Sequence, residues 1–429
     1  MSNALTSRIA EDFAAAAGAP QAPAAVRQRA AIDLLTTVGL PTTREENWKY
    51  ANLRALERLR FLPAAGEHAR VVAAQLPPAI AGFTRYVFID GRFAPQLSGV
   101  PAPGAAFTPL AAAAAQPAAA PLEGRGPDQR FALLNEAFAT DGARLSLSAG
   151  ADPARLELIF VASADAAAGA SYPRIELRAH AHSSAEVLER HMSADATASF
   201  VNSAVEIDLA QGARLTHYRL QQLSGRSILF DTLTATLGPQ AAYRLHAVST
   251  GAASARSTQR LRLAGEHAQL SMAIAALGER QQVQDSFALV EHAAPRARTE
   301  QLFRGIAADR SRVAFNGKMV VAQGAQGTDS QQSLRGLLAG PEAEIDVRPQ
   351  LEIYTDDVRC SHGATAGKLD DNMLFYLLAR GLDRDTAQRL LKWAFLADAF
   401  ARIEVADLRR QIEENLAQVL KDSALKELL

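Results

Sequence analysis

Apolar positions recur along this chain in two rhythms, helical towards both ends and extended through the middle. Over residues 3–38, Ile9, Phe13, Val26, Ala30, Ile32 and Leu35 fall at helix-like spacings among good helix formers, and Gly39-Leu40-Pro41 ends the unit. Thr42 or Thr43, with a Glu three positions later, can close a capping box on a short helix carrying Trp48, Tyr50 and Leu53. Tyr86-Val87-Phe88-Ile89, Asp90-Gly91 and Arg92-Phe93 then predict a β-hairpin on an Asp-Gly turn. Residues 98–129, rich in Pro, Gly and Ala, read as a loop or linker, and 130–140 as a short helix packed through Phe131, Leu134 and Phe138.

From about 144 to 365 the pattern is strand, turn, strand. An Ala that follows a polar or Gly-containing turn and opens an alternating strand returns at Ala185, Ala213, Ala242, Ala268 and Ala297, at spacings of 28, 29, 26 and 29 residues. A near-constant period of this size marks a solenoid. Each unit holds only two or three short strands, so a parallel β-helix fits, each coil pairing with the next. In Val205-Glu206-Ile207-Asp208-Leu209 the apolar residues face inward and the charges outward.

Helical character returns at Leu369. Asn372 to Arg380 is apolar and stops at Gly381. Asp383 is a candidate N-cap for a second helix bearing Leu390, Leu391, Ala394 and Phe395 on one face. A third helix from about Val405 carries Leu408, Ile412, Leu416 and Val419. The expected fold is mainly β: a parallel β-helix over 144–368, preceded by a helical region (1–80) and a hairpin, linker and short helix (81–143), and followed by a helical region (369–429).

Composition narrows the function classes. The 429 residues are 48% hydrophobic and 21% charged with a formal net charge of -1, so bulk electrostatics do not point to nucleic acid or an anionic membrane. The single cysteine, Cys360, forms no internal disulfide and completes no metal site alone. The N-terminal segment lacks the pattern of a secretory signal, and no run of about 18 apolar residues suggests a membrane span; a cytoplasmic location is expected.

Nucleotide and hydrolase motifs are missing. Gly317-Lys318 and Gly367-Lys368 lack the rest of a phosphate loop, and there is no HExxH, CxxC or GxSxG. His180 and His182 would share a strand face as outward polar residues, and Asp356-Asp357 and Asp370-Asp371 read as solvated turns. One cluster stands out, Asp356-Asp357-Val358-Arg359-Cys360-Ser361-His362-Gly363-Ala364-Thr365. On an extended strand Cys360 and His362 fall on one face, an imidazolium there would favour the thiolate, and both groups are sensible iron ligands. Two ligands leave a site incomplete, so a partner would supply the rest. The alternative is a buried structural cysteine beside a turn histidine.

That segment, LEIYTDDVRCSHGATAGKLD with NMLFYLLARGLDRDTAQRLLKWAFLADAF after it, closely resembles the SufB/SufD family of iron–sulfur assembly scaffolds; so do TREENWKYANL and VFIDGRF upstream. The resemblance runs over essentially the whole chain and, with one cysteine, favours the SufD branch. It implies a right-handed β-helix that pairs end to end with a SufB-type scaffold, and C-terminal helices that dock a SufC-type ATPase. It implies that His362 faces the SufB interface and helps hold a transient iron or iron–sulfur cluster shared with SufB, with Cys360 beside it. No cofactor would be held tightly by the isolated chain, which would not be an enzyme. Residues from about 370 to 400 would carry the ATPase docking surface, with Trp393 and Phe395 as aromatic anchors or as ordinary core. Two other readings stand beside this one: a secreted-type β-helix polysaccharide lyase or hydrolase, disfavoured by the missing acid cluster, and a structural β-helix homodimer that pairs through its open end.

Overall fold

A computed structural model describes residues 2–16, 23–64, 71–112, 127–150 and 152–420. Helices α1 (Ser2–Ala16) and α2 (Pro23–Val38) fall in the stretch expected to be helical over 3–38, with residues 17–22 outside the described residues. Ile9, Phe13, Ile32 and Leu35 are buried as their spacing requires, whereas Val26 is exposed. Half of the expected capping box forms: the Thr42 backbone N–H donates to Glu45 Oε1 at 2.9 Å. It caps only a three-residue 3-10 turn, Glu46–Trp48, and Leu53 opens a second one, Leu53–Arg58.

The solenoid consists, among the described residues, of two ten-stranded sheets stacked across a common core. It begins at the hairpin, upstream of the expected boundary at 144. Thr84–Ile89 pairs antiparallel with Arg92–Phe93 across Asp90 and Gly91, both at positive φ, and parallel with Ala154–Ala162. An apolar hairpin looks the same in sequence whether it stands alone or starts a stack. Within the expected linker, Ala105–Pro109 is a strand paired antiparallel with Ala143–Leu147; residues 113–126 lie outside the described residues. Helix α3 (Arg130–Phe138) buries Phe131, Leu134 and Phe138.

From Ser184 onward each coil contributes one strand to each sheet, in parallel register. The pairing adjusts the repeat read from the sequence. Ser183 and Ala241, rather than Ala185 and Ala242, share a row with Ala213, Ala268 and Ala297. A period-2 strand hides a two-residue shift, and adjacent alanines hide a one-residue shift.

The corner before this row has its own geometry. His182, Gly212, Gln240, His267, Arg296, Gly327 and Asp357 all have positive φ, between 56° and 70°. Their backbone N–H groups, Asp357 apart, donate to carbonyls of the following coil at 2.8–3.3 Å. The bonds between coils offset the cost, about 1 kcal/mol, of a left-handed conformation at a residue with a Cβ. His182 is therefore a corner residue and shares no strand face with His180, whose Nε2 lies 3.0 Å from Ser146 Oγ.

The two outer faces are covered differently. The N-terminal region, with Trp48, Phe61 and α3, packs over Phe200 and Phe230 of the second sheet. Three C-terminal helices follow the last strand: α4 (Asp371–Ala379), α5 (Arg384–Phe400) and α6 (Ala406–Val419). Leu396 and Phe400 of α5, with Leu408, Ile412 and Leu416 of α6, pack over Tyr218, Val248 and Leu302 of the first sheet. Asp383 caps α5 through the Thr386 N–H at 3.0 Å.

Candidate functional site at the open end

The first coils are plugged by aromatic rings: Tyr86 stacks on Phe107 at 4.0 Å and Phe88 on Phe160 at 4.8 Å between centroids. The other end is open. Its last strands, Glu344–Ile353 and Arg359–Lys368, each have one neighbour in their sheet and leave one edge of N–H and C=O groups unpaired.

Cys360 and His362 lie on that terminal strand. Along its neighbour, Ser330, Gln332 and Leu334 are buried and Gln331 and Arg335 exposed, so the first three face the bore. The parallel register sets Cys360 over Ser330 and His362 over Gln332, placing both on the bore side. Cys360 is half-buried and His362 exposed.

Behind this pair the bore is polar. The Gln332 Nε2 donates to Gln301 Oε1 at 2.7 Å and to the Gly317 carbonyl at 3.2 Å. The Gln301 Nε2 reaches Met272 Sδ at 3.6 Å. A Cβ at Gly317 would lie 2.7 Å from Gln301 Oε1, so a side chain there would displace the Gln301 amide.

The thiol does not behave as expected from its neighbour in sequence. Burial and the nearby Asp329 carboxylate push the Cys360 pKa up, so the terminal coil favours the thiol over the thiolate. Among the described residues no group of three His, Cys, Asp or Glu side chains is close enough to hold a metal. The terminal strand thus presents two donors.

Deeper in the bore lies a charged network that sequence reasoning passed over. Arg219 forms two bonds to Glu189, at 2.7 and 2.9 Å, and two to Asp231, at 2.8 and 2.9 Å. His191 Nε2 lies 2.6 Å from Glu189 Oε1, His217 Nε2 3.0 Å from Glu189 Oε2, and His217 Nδ1 3.0 Å from the Tyr243 hydroxyl. Burial alone would raise the Glu189 pKa; the Arg219 guanidinium and the histidine hydrogen bonds outweigh it and hold the carboxyl well below its usual range. Burial lowers the His217 pKa and keeps the imidazole neutral. Strand alternation placed these residues inside, but their pairing depends on register.

A family model described as "SUF system FeS cluster assembly, SufBD core domain" matches residues 160–395, which include most of the solenoid, the terminal strand, α4 and most of α5. The chain belongs to the SufBD family. It is similar to the iron-sulfur cluster assembly protein SufD of Escherichia coli, at 32% identity over 91% of this chain and 92% of that protein. It is similar as well to an iron-sulfur cluster assembly SufBD family protein of Synechocystis, at 30% identity over 90% and 89%. A third relative, the chloroplastic protein ABCI7 of Arabidopsis thaliana, is 30% identical over 52% of this chain and 47% of its own length.

On this SufBD solenoid the aromatic residues named from sequence have unequal exposure. Trp393 and Phe395 are half-buried against the core under α5, and Trp393 meets Phe400 edge-on at 5.4 Å. Among the described residues the large exposed apolar side chains include Ile353, which ends the last strand of the second sheet, Tyr354 after it, and Met373, Phe375 and Tyr376 on α4, where Leu374 alone is buried. Their signal was present: α4 is apolar all round, a pattern that demands burial on more than one side. No helix of the described residues is long and apolar enough to cross a membrane.

Proposed function

We propose that this chain is a non-catalytic, cytoplasmic scaffold subunit for iron–sulfur cluster assembly. Its open end pairs with the β-helix end of a SufB-type scaffold. There His362, with Cys360 beside it, contributes to holding iron or the nascent cluster, which is cargo rather than a resident cofactor. The observation that carries this reading is the placement of two metal donors on the bore side of an unpaired terminal strand, a half-site that a second chain's strand end can complete. Membership of a SUF assembly family supports reading the half-site as an iron or cluster site and counts against the polysaccharide-enzyme reading.

The same reading assigns the C-terminal helices to a SufC-type ATPase. Phe375 and Tyr376 are the exposed anchors on that surface, and Trp393 and Phe395 support it from below. The test is co-purification with SufB-type and SufC-type partners followed by anaerobic cluster reconstitution, comparing the unaltered chain with His362→Ala. The complex should form with both, and clusters should mature only with the unaltered chain. Normal maturation with the variant would remove His362 from the site. An absent complex with the unaltered chain would overturn the scaffold assignment.

The exposed strand edges also favour a homodimer when the chain is alone. Size measurement distinguishes the two: a dimer that persists in excess SufB-type partner would make the homomeric contact the principal one.

A further inference from the structure

A cavity of about 1230 Å³ opens between the N-terminal region and one corner of the solenoid, where it reaches Glu344, the first residue of the last strand of the second sheet. One wall is formed by α1 and the segment 40–57, the other by Val283, Arg310, Arg312 and Glu344. Six cations line it against two carboxylates, an excess of four positive charges in a chain whose net charge is -1.

Little inside the molecule offsets that excess. Arg312 pairs with Glu344. The Arg8 guanidinium is anchored by the carbonyls of Glu57 and Leu56, at 2.8 and 2.9 Å, and its Nε is buried without a partner. Among the described residues Lys49 meets the Tyr50 ring, at 5.3 Å from its centroid, and forms no ion pair. Arg44, Arg54 and Arg310 form no ion pair among the described residues.

Like charges gathered around one volume repel each other and destabilise the fold unless an anion occupies the space. Guanidinium groups converging from separate segments suit a phosphate, whose oxygens accept paired N–H donors. The volume far exceeds that of a bare anion and is large enough to admit an organic ligand. The Tyr50 ring supplies an aromatic wall.

We propose that this cleft is a binding site for an organic polyphosphate of the nucleotide type, with Arg44, Arg54 and Arg310 on the phosphates and Tyr50 against the ring system. The site uses neither Cys360 nor His362, so its failure would leave the scaffold reading intact. Tyr50 lines the same cleft as the cations, which favours a phosphate ligand bearing a ring system over an acidic protein segment.

Isothermal titration of the full-length chain at low salt tests this with ADP, pyrophosphate, adenosine and an oligoglutamate peptide. ADP should bind, pyrophosphate should bind more weakly, and adenosine alone weakest. Arg54→Ala and Arg310→Ala, both at exposed positions, should each weaken ADP binding about tenfold, equivalent to about 1.4 kcal/mol. Arg244→Ala, on the opposite sheet, should leave it unchanged. Equal binding of ADP and pyrophosphate would still support the phosphate site while removing Tyr50 from it. No binding of either phosphate, an equal loss in Arg244→Ala, or binding of oligoglutamate alone would overturn the proposal.

Discussion

His362 stands one coil beyond Gln332 in the same bore-facing row of the solenoid. The Gln332 Nε2 is engaged inward by Gln301 and Gly317, while its Oε1 has no partner. The imidazole is thus mounted on a buried amide ladder at the mouth of an open β-helix. His362→Ala removes an exposed side chain and should change unfolding free energy by less than about 0.5 kcal/mol in urea denaturation. Its effect on reconstituted cluster content should be large by comparison. A cooperative loss of stability equal to the loss of function would make the residue structural.

The two sets of C-terminal aromatics should separate in experiment. Phe375→Ala should leave the melting temperature unchanged and weaken retention of a SufC-type ATPase in a pull-down. Trp393→Ala opens a gap beside Phe400 and should cost about 2–3 kcal/mol in stability. If Trp393→Ala instead abolished ATPase binding in a fully stable protein, the anchor would sit on α5.

Glu189→Gln keeps the volume and removes the charge that Arg219 engages through two hydrogen bonds. Loss of one member of a buried ion network costs about 3–5 kcal/mol, readable as a lower urea midpoint. Because the folded carboxyl sits well below its unfolded pKa, its stabilisation is present above about pH 4.5 and fades as the pH falls below that. The difference between the two proteins should shrink on acidification.

Two buried histidines set a different window. Burial lowers His292 and His246 to about 4 from 6.5. The unfolded chain therefore takes up protons first, and stability should fall as pH drops from about 6.5 towards 4, by up to about 3 kcal/mol for each residue. A His246→Phe/His292→Gln variant should show a visibly flatter profile over that window. An unchanged profile would mean the imidazoles titrate freely in the folded protein.

Gly265 sits where successive turns stack: a Cβ there would lie 1.9 Å from the Pro239 backbone nitrogen and 2.2 Å from the Gly238 carbonyl carbon. Gly265→Ala must push two coils apart and should cost more than about 3 kcal/mol, or block soluble expression. A stable variant would show that the corner can relax.

Local rhythm was enough to predict much of this protein. Period-2 alternation with a near-constant repeat specified a parallel β-helix, helical spacing specified α2, α3, α5 and α6, and the Cys360–His362 segment marked the candidate site. Those features reside in neighbouring residues, whose side-chain directions follow from backbone geometry alone. Tertiary structure decided what depends on residues a full coil or more apart. Register chose Ser183 and Ala241 over Ala185 and Ala242, joined Glu189, Arg219 and Asp231 in one buried network, and turned Cys360 and His362 towards the bore. Packing covered Trp393 and left Phe375 free, and it brought Arg8, Arg54 and Arg310 around one cavity. None of these is legible from spacing, because a one-residue slip reverses every face of a strand and contacts between coils are fixed by stacking rather than by sequence neighbours.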